Sequence, residues 1–387
     1  MKHTIFIAGS GGIGEAAAIL LREWSEFEID LFLGDVSEAN LLKAREFVSK
    51  NSSKTSKVET ILMKTDGGLN GAMKNAFENC DVLLDCSPGS QAPRMAQFAC
   101  DYRMHYANLT EYVAETDEII ALAKNAETGF ILQTGLAPGF INVLVMSLYQ
   151  EFQAQFGVEK VEKIEMKVGA LTAHAHRPHF YGFTWSPIGV ATEYVKPSRV
   201  IRDYEIRQIP ALSDRETIVI GGRAFEADLT SGGAADLPDY FRHKAKNLDY
   251  KTLRHVGHYA WVESVLEKFA EENILNKFEH EDLPAKILAE FLREVPAVED
   301  DFVLAHASVD GFDEQGTRRM LEKAFFVEPI KINGSHLRAI QTTTAAPLCE
   351  AAMMLLTNKY KGVVLQSQIN PQEFLHGNFV SKIYGIS

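Results

Sequence analysis

The chain is 387 residues long, 46% hydrophobic and 24% charged, and its 39 Lys plus Arg against 52 Asp plus Glu give a net charge of −13. That balance repels polyanions and argues against a nucleic-acid partner; the nearest basic run, Arg242-His243-Lys244-Ala245-Lys246, reads as a solvated face or a contact for a small anion. No run of about 18 apolar residues is present to span a bilayer, so no membrane partner is expected, and the length suits two domains with separate cores.

Met1-Lys2-His3-Thr4 passes straight into the apolar Ile5-Phe6-Ile7-Ala8, leaving no room for a secretory signal, so a cytoplasmic location is expected. In chain order, Thr4–Ala8 reads as a strand, Ile13–Trp24 as a helix after a Gly-rich break, and Ile29–Leu33 as a second strand ending at Gly34-Asp35. Helices near Glu38–Ser49 and Gly71–Asn79, with strands at Val58–Met63 and Val82–Leu84, repeat this βαβ pattern. Helices at Gln91–Asp101 and Thr116–Asn125 and strands at His105–Leu109 and Phe130–Gln133 extend it. Such alternation predicts an α/β domain with a parallel, doubly wound sheet that binds ligands beyond the carboxyl ends of its strands.

After Gly135-Leu136-Ala137-Pro138-Gly139 the pattern changes. A helix over Phe140–Phe156 leads to segments of period two, in which Ile164, Met166 and Val168 alternate with Glu165 and Lys167, as in a half-exposed antiparallel strand. Further strands near Arg199–Tyr204, Glu216–Ile220, Lys251–His255, Phe302–Val309, Ala324–Ile332 and Leu337–Gln341 predict an α+β domain whose antiparallel sheet would suit the face of a homodimer. A helix over Thr342–Asn358 and the run Gly362-Val363-Val364-Leu365 are expected to return to the first domain. The expected division is therefore 1–139 with 342–387, and 140–341.

Gly9-Ser10-Gly11-Gly12-Ile13-Gly14 is G-x-G-x-x-G after a strand and at the start of a helix, the arrangement of a Rossmann dinucleotide site. Gly9 permits the tight turn, Gly11 the close approach of a pyrophosphate, and Gly14 the packing of helix on strand. Asp35, 21 residues beyond Gly14, is placed to accept hydrogen bonds from ribose hydroxyls and to repel a 2′-phosphate, so NAD is expected rather than NADP; the bland alternative is an Asp that caps the next helix. Asp66, after the third strand, and Ser87-Pro88-Gly89, after the fourth, are candidates for the adenosine and nicotinamide halves, although both are also ordinary turn sequences.

The runs Asp81-Val82-Leu83-Leu84-Asp85-Cys86-Ser87-Pro88-Gly89, Tyr106-Ala107-Asn108-Leu109-Thr110-Glu111-Tyr112 and Gly135-Leu136-Ala137-Pro138-Gly139-Phe140-Ile141-Asn142 resemble the saccharopine dehydrogenase family, which takes in lysine epsilon-dehydrogenase. Phe183-Thr184-Trp185-Ser186-Pro187, Tyr250-Lys251-Thr252-Leu253-Arg254-His255-Val256-Gly257-His258 and the Gly362-Val363 tail are similar to later landmarks in the same order. The resemblance implies a Rossmann domain with an inserted α+β substrate and dimerisation domain, and oxidation of a carbon–nitrogen bond or its reverse on an amine-bearing carboxylate. Saccharopine-handling members often carry Asp where this chain has Asn108 and Ala137, which argues against saccharopine itself.

This chemistry needs a group titrating near neutrality, for which Glu111 and His258 are the main candidates, with Tyr112, Lys251, His174, His176 and His179 behind them. Each is as readily a structural side chain. Asn108 and Asn142 are expected to meet substrate, Trp185 either to wall its pocket or to pack in the core, and Arg254 or Arg177 to clamp a carboxylate or form an ordinary ion pair. The three histidines lack an attendant carboxylate, and Cys80, Cys86, Cys100 and Cys349 share no CxxC spacing, so no metal is expected. The rival function is a non-catalytic dinucleotide sensor or scaffold, as the loss of carboxylates at 108 and 137 would suit.

Overall fold

The computed structural model describes residues 1–111, 113–271, 283–357 and 360–387. It opens with β1 (Lys2–Ala8), α1 (Gly12–Trp24), β2 (Glu28–Asp35), α2 (Glu38–Asn51), β3 (Val58–Leu62), α3 (Gly71–Phe77), β4 (Val82–Asp85), α4 (Ala92–Asp101), β5 (His105–Asn108), α5 (Val113–Ala123) and β6 (Gly129–Ile131). There follow α6 (Phe140–Phe156), β7 (Val161–Thr172), α7 (Pro187–Glu193), β8 (Ser198–Arg202), β9 (Glu205–Ile209), β10 (Glu216–Ile220), β11 (Arg223–Leu229), α8 (Leu237–Phe241) and β12 (Ala245–His255). The chain then forms α9 (His258–Glu271), α10 (Leu283–Glu294), β13 (Asp301–Phe312), β14 (Arg318–Val327), the hairpin of β15 (Ile330–Ile332) and β16 (Ser335–Leu337), α11 (Ala339–Thr357), β17 (Gly362–Val364), α12 (Pro371–Leu375) and α13 (Asn378–Tyr384). Among the described residues no helix is long and apolar enough to cross a membrane.

Two compact units result. The first comprises residues 1–143, 330–337 and 341–387, and the second 144–329 and 338–340. The first unit holds a parallel sheet in the order β17-β6-β5-β4-β1-β2-β3. The chain winds outward from β1 through β2 to β3, then resumes on the other side of β1 with β4, so the crevice of a doubly wound sheet opens between β1 and β4. One sheet face is buried by α3, α4 and α5, where Phe6, Phe77, Leu83, Met95 and Phe130 pack together.

In the second unit the main sheet runs β10-β11-β12-β7-β13-β14, with β8 beside β12 and β9 beside β8. It is mixed rather than purely antiparallel, because β12 pairs parallel to β7 while β13 pairs antiparallel to it. The sheet also curls: the guanidinium of Arg223, at the start of β11, lies 6.0 Å from the ring of Phe302 on β13 and 5.5 Å from that of Phe326 on β14.

Leu337–Gln341, expected as a strand, is instead the end of β16 followed by the first turn of α11. The carboxylate of Asp301 accepts hydrogen bonds from Ala339 N and Ile340 N, both at 2.8 Å, and so satisfies the free amides of that helix start. The stretch Ala324–Ile332, expected as one strand, divides into β14 and β15. Asn358, the expected end of α11, lies outside the described residues.

Glu350, buried on α11, accepts a hydrogen bond from Phe379 N at 2.8 Å at the start of α13. Burial pushes its carboxyl up to about 7 despite that donor. Because the folded value lies above the unfolded one, Glu350 favours the folded state at low pH, and this contribution is lost as pH rises towards and beyond about 7. Glu350→Gln keeps an acceptor for Phe379 and removes the ionisation. Its unfolding free energy is expected to equal or trail that of the parent at pH 5 and to exceed it at pH 8, by on the order of 2 kcal/mol. Parallel urea titrations at the two pH values check this.

Candidate functional site

Parallel pairing sets the first unit's candidate residues along one line. Ala8 on β1 is in register with Gly34 on β2 and Asp85 on β4, and Asp85 with Asn108 on β5. Neighbouring strands lie about 4.8 Å apart, so this row forms the carboxyl edge of the sheet. At its centre Gly9 N donates to Gly34 O at 2.8 Å, and Gly9 has φ of +92°. A Cβ there would lie 2.6 Å from Cys86 O, and one at Gly14 would collide with Gly9 O. Gly11 differs, since a Cβ on it would meet no atom within 4 Å. The turn is therefore closed by backbone at Gly9 and Gly14 and open at Gly11, where α1 begins and its free amides suit a phosphate.

Asp35 is fixed beside this turn. Its Oδ2 accepts from Ser10 N at 2.9 Å and its Oδ1 from Ser37 N at 2.8 Å. The helix cap of α2 is Ser37, whose side chain accepts from Asn40 N, so Asp35 is not needed for that role. Gly12 and Ile13 form the first turn of α1, and the carbonyl of Gly12 accepts from Gln341 Nε2 at 2.9 Å. Asp66 is exposed in the turn after β3 and accepts from Gly68 N at 2.8 Å.

On the other side of the crevice, Ser87-Pro88-Gly89 is held by Asp85, a residue that motif reading had passed over. Its carboxylate accepts from Ser87 N at 3.0 Å, from the Ser87 hydroxyl, and from the Tyr106 hydroxyl at 2.9 Å. Burial raises the Asp85 carboxyl to about 6 against the pull of those donors. Asn108 accepts from Gln133 N at 2.8 Å and Asn142 from Gly139 N at 2.7 Å, and both side chains are buried. Both asparagines thus brace loops at the carboxyl edge. Glu111 is partly exposed between β5 and α5, and Tyr112 lies outside the described residues.

In the second unit, Arg254 and His258 are enclosed. Arg254 Nε donates to the Tyr194 hydroxyl at 2.7 Å, and the Tyr194 hydroxyl lies 2.9 Å from His258 Nε2. His258 Nδ1 lies 2.7 Å from the carbonyl of His179. A carbonyl only accepts, so Nδ1 carries the proton and Nε2 accepts from Tyr194. Burial, reinforced by the charge of Arg254, pushes His258 well below the ordinary imidazole range. His258, expected as a proton-transfer group, is wholly buried, engaged at both nitrogens and placed against Tyr194.

Arg254 is only 2% exposed; its charge is met by the rings of Tyr181 and Tyr194 and by Glu193, 3.9 Å away. Lys251, also buried, donates to Asp214 O at 2.6 Å and pairs with Glu216 at 3.0 Å, so it belongs to an internal ion cluster.

Trp185 lines a hollow of about 490 Å³ with Phe183, Thr184, Pro187, Val295 and Arg338. The Thr184 hydroxyl, at 1% exposure, has no hydrogen-bond partner among the described residues. Arg338, on which the sequence carries no motif, lines the same hollow, whereas Arg254 does not. His174, His176 and His179 line a separate hollow in which Asp300 and Glu299 supply the carboxylates thought missing. Among the described residues no group of three His, Cys, Asp or Glu is placed to hold a metal. Arg177 is exposed.

The doubly wound sheet, the glycine turn and the fixed carboxylate at the end of β2 define a Rossmann dinucleotide-binding domain. The profile described as Saccharopine dehydrogenase NADP binding domain matches residues 5–132, and that of the Saccharopine dehydrogenase C-terminal domain matches residues 135–377. The chain belongs to the saccharopine dehydrogenase family of NAD(P)-binding oxidoreductases.

Its fold is similar to that of apo saccharopine dehydrogenase (L-Glu forming) from Saccharomyces cerevisiae, with a TM-score of 0.71, 15% identity and coverage of 99% of this chain and 98% of that one. It is also similar to homospermidine synthase from Legionella pneumophila, solved in complex with NAD, with a TM-score of 0.64, 11% identity and coverage of 99% and 90%.

Three outcomes follow from the contrast among the glycines and from the tyrosine link. Gly11→Ala is expected to leave the melting temperature within about 2 °C of the parent while weakening NADH binding at least tenfold, whereas Gly14→Ala should unfold or fail to accumulate. Calorimetry and fluorescence titration would check both. Tyr194→Phe strips a buried hydroxyl from between Arg254 and His258 and should cost about 2–4 kcal/mol in urea unfolding.

Proposed function

We propose that the chain is an NAD-dependent oxidoreductase acting on a carbon–nitrogen bond of an amine-bearing carboxylate, oxidising the amine or reducing the imine. The observation that carries the cofactor preference is Asp35, whose carboxylate is fixed by the amides of Ser10 and Ser37 at the end of β2. In that position it accepts ribose hydroxyls and repels a 2′-phosphate. Gly9, Ser10, Gly11, Gly12, Ile13 and Gly14 would hold the pyrophosphate, with Asp66 and Ser87-Pro88-Gly89 towards the two nucleoside halves. The nicotinamide would take or give the hydride.

The chain's own part is to bind, orient and exclude water. Family membership and the Trp185 hollow support the substrate class: an apolar wall of Phe183, Trp185 and Val295 suits an alkyl chain, and the Arg338 guanidinium suits a carboxylate. Glu111, partly exposed after β5, is the proton-transfer group of this reading, and Asp85, Asn108 and Asn142 position the loops around it. The same reading takes the chain to be a homodimer, for which β14, an edge strand exposing Met320 and Phe326, offers a face.

The sensor reading is favoured by one observation, the enclosure of Arg254 and His258. A screen of amino acids, diamines and secondary amines with NAD, and of aldehyde plus amine with NADH, separates the two. Turnover on an amine-bearing carboxylate is expected, with KM raised about tenfold or more by Arg338→Ala, and NADH should bind at least tenfold more tightly than NADPH. Vigorous turnover on simple alcohols would reject amine chemistry. Silence across the panel despite tight NADH binding would favour the sensor.

A further inference from the structure

We propose that Arg94 forms a wall of the adenine end of the cofactor cleft, its guanidinium lying against the face of the base. This rests on the reading of the first unit as a nicotinamide dinucleotide site. Arg94 stands in the first turn of α4, just after the Ser87-Pro88-Gly89 turn. From there it reaches the turn after β3. The space that a side chain at Gly67 would fill is occupied by the Arg94 guanidinium, and Gly67 itself has φ of +81°. The turn after β3 is thus built without a side chain at 67, and Arg94 fills the space.

The guanidinium is held without an anchor of its own. Among the described residues it makes no hydrogen bond or close ion pair, and its Nε is buried with no partner. Asp85 lies near enough to feel its charge, but the Asp85 oxygens are engaged by Ser87 and Tyr106. Arginine loses considerable side-chain freedom when ordered, so one held this way at a ligand-binding edge is suited to a partner brought by the ligand.

Position and charge say which part of the ligand. In a doubly wound sheet whose strands run β4-β1-β2-β3, the adenosine half lies towards β2 and β3, and the turn after β3 borders the base. A 2′-phosphate is disfavoured at this end by the fixed Asp35 carboxylate. A planar cation and a neutral π face are complementary, and a partly desolvated pair of this kind is worth about tenfold in affinity.

The test compares the dissociation constants of NADH, NADPH, ADP-ribose and reduced nicotinamide mononucleotide for the parent and for Arg94→Ala and Arg94→Lys, with circular dichroism and melting curves to establish that each is folded. Arg94→Ala is expected to weaken NADH and ADP-ribose about tenfold and to leave the mononucleotide, which lacks adenine, unchanged, with Arg94→Lys in between. Unaltered NADH binding would overturn the inference. So would an equal loss for the mononucleotide, which would make Arg94 a general support of the cleft, or a loss confined to NADPH, which would make it a 2′-phosphate contact. A parent that binds neither dinucleotide would instead overturn the reading of the site itself, and this inference with it.

Discussion

Parallel pairing on either side of β1 is the constraint on which the first unit's chemistry depends. A parallel ladder fixes register along the whole strand, so once Ile5–Ala8 pair with Leu31–Gly34 and with Val82–Asp85, the strands end together. The glycine turn, Asp35, Asp85 and Asn108 then face the same edge although they lie in four separate stretches of sequence. A one-residue slip at β4 would exchange Asp85 for Leu84 or Cys86 at that edge and turn the carboxylate to the other face. The apolar packing of Leu83 against Phe6 and Phe77 opposes such a slip, because it would withdraw Leu83 from that cluster.

A different constraint governs the second unit. A guanidinium taken out of water carries a large desolvation cost, which is tolerable only where neighbouring groups offset it. At Arg254 the compensation is spread over Tyr194, the Leu253 carbonyl, two aromatic faces and the more distant Glu193. Tyr194 has one hydroxyl proton and gives it to His258, which leaves its oxygen to accept from Arg254. The imidazole must stay neutral for that arrangement to hold, and its enclosure beside a cation keeps it so. The same groups read from sequence as a clamp and a base are therefore bound to one another.

What was legible in the sequence follows from the range of the signals. The glycine turn, Asp35 and the βαβ alternation are local patterns, and each appears at the expected residue numbers. The helix over Phe140–Phe156 is legible to its last residue because a largely apolar stretch that starts just after Gly139 is a local signal and needs no distant partner. The start of α11 was not legible, since its cap, Asp301, lies 38 residues upstream of Ala339. The parallel pairing of β12 with β7 was equally hidden, because alternation gives the faces of a strand but not the direction of its neighbour. Arg94 and Arg338 carried no motif; only the space above Gly67 and the walls of the Trp185 hollow single them out.

Asp35 and Asp85 show how one edge of a sheet supports two kinds of carboxylate. Asp35 takes amide hydrogen bonds on separate oxygens, a geometry that fixes its orientation at the end of β2. Asp85 is sealed beneath the turn it holds. Its donors favour the ionised form, yet loss of water outweighs them and lifts the carboxyl to about 6. The two differ by their surroundings rather than by residue type: Asp35 lies beside the Ser10 amide and the exposed Gly11, whereas Asp85 is enclosed by Ser87 and Tyr106. Gly9 joins the two turns, because only a residue without Cβ lets the Cys86 carbonyl and the Ser87 amide come so close, while the neighbouring Gly11 stays exposed.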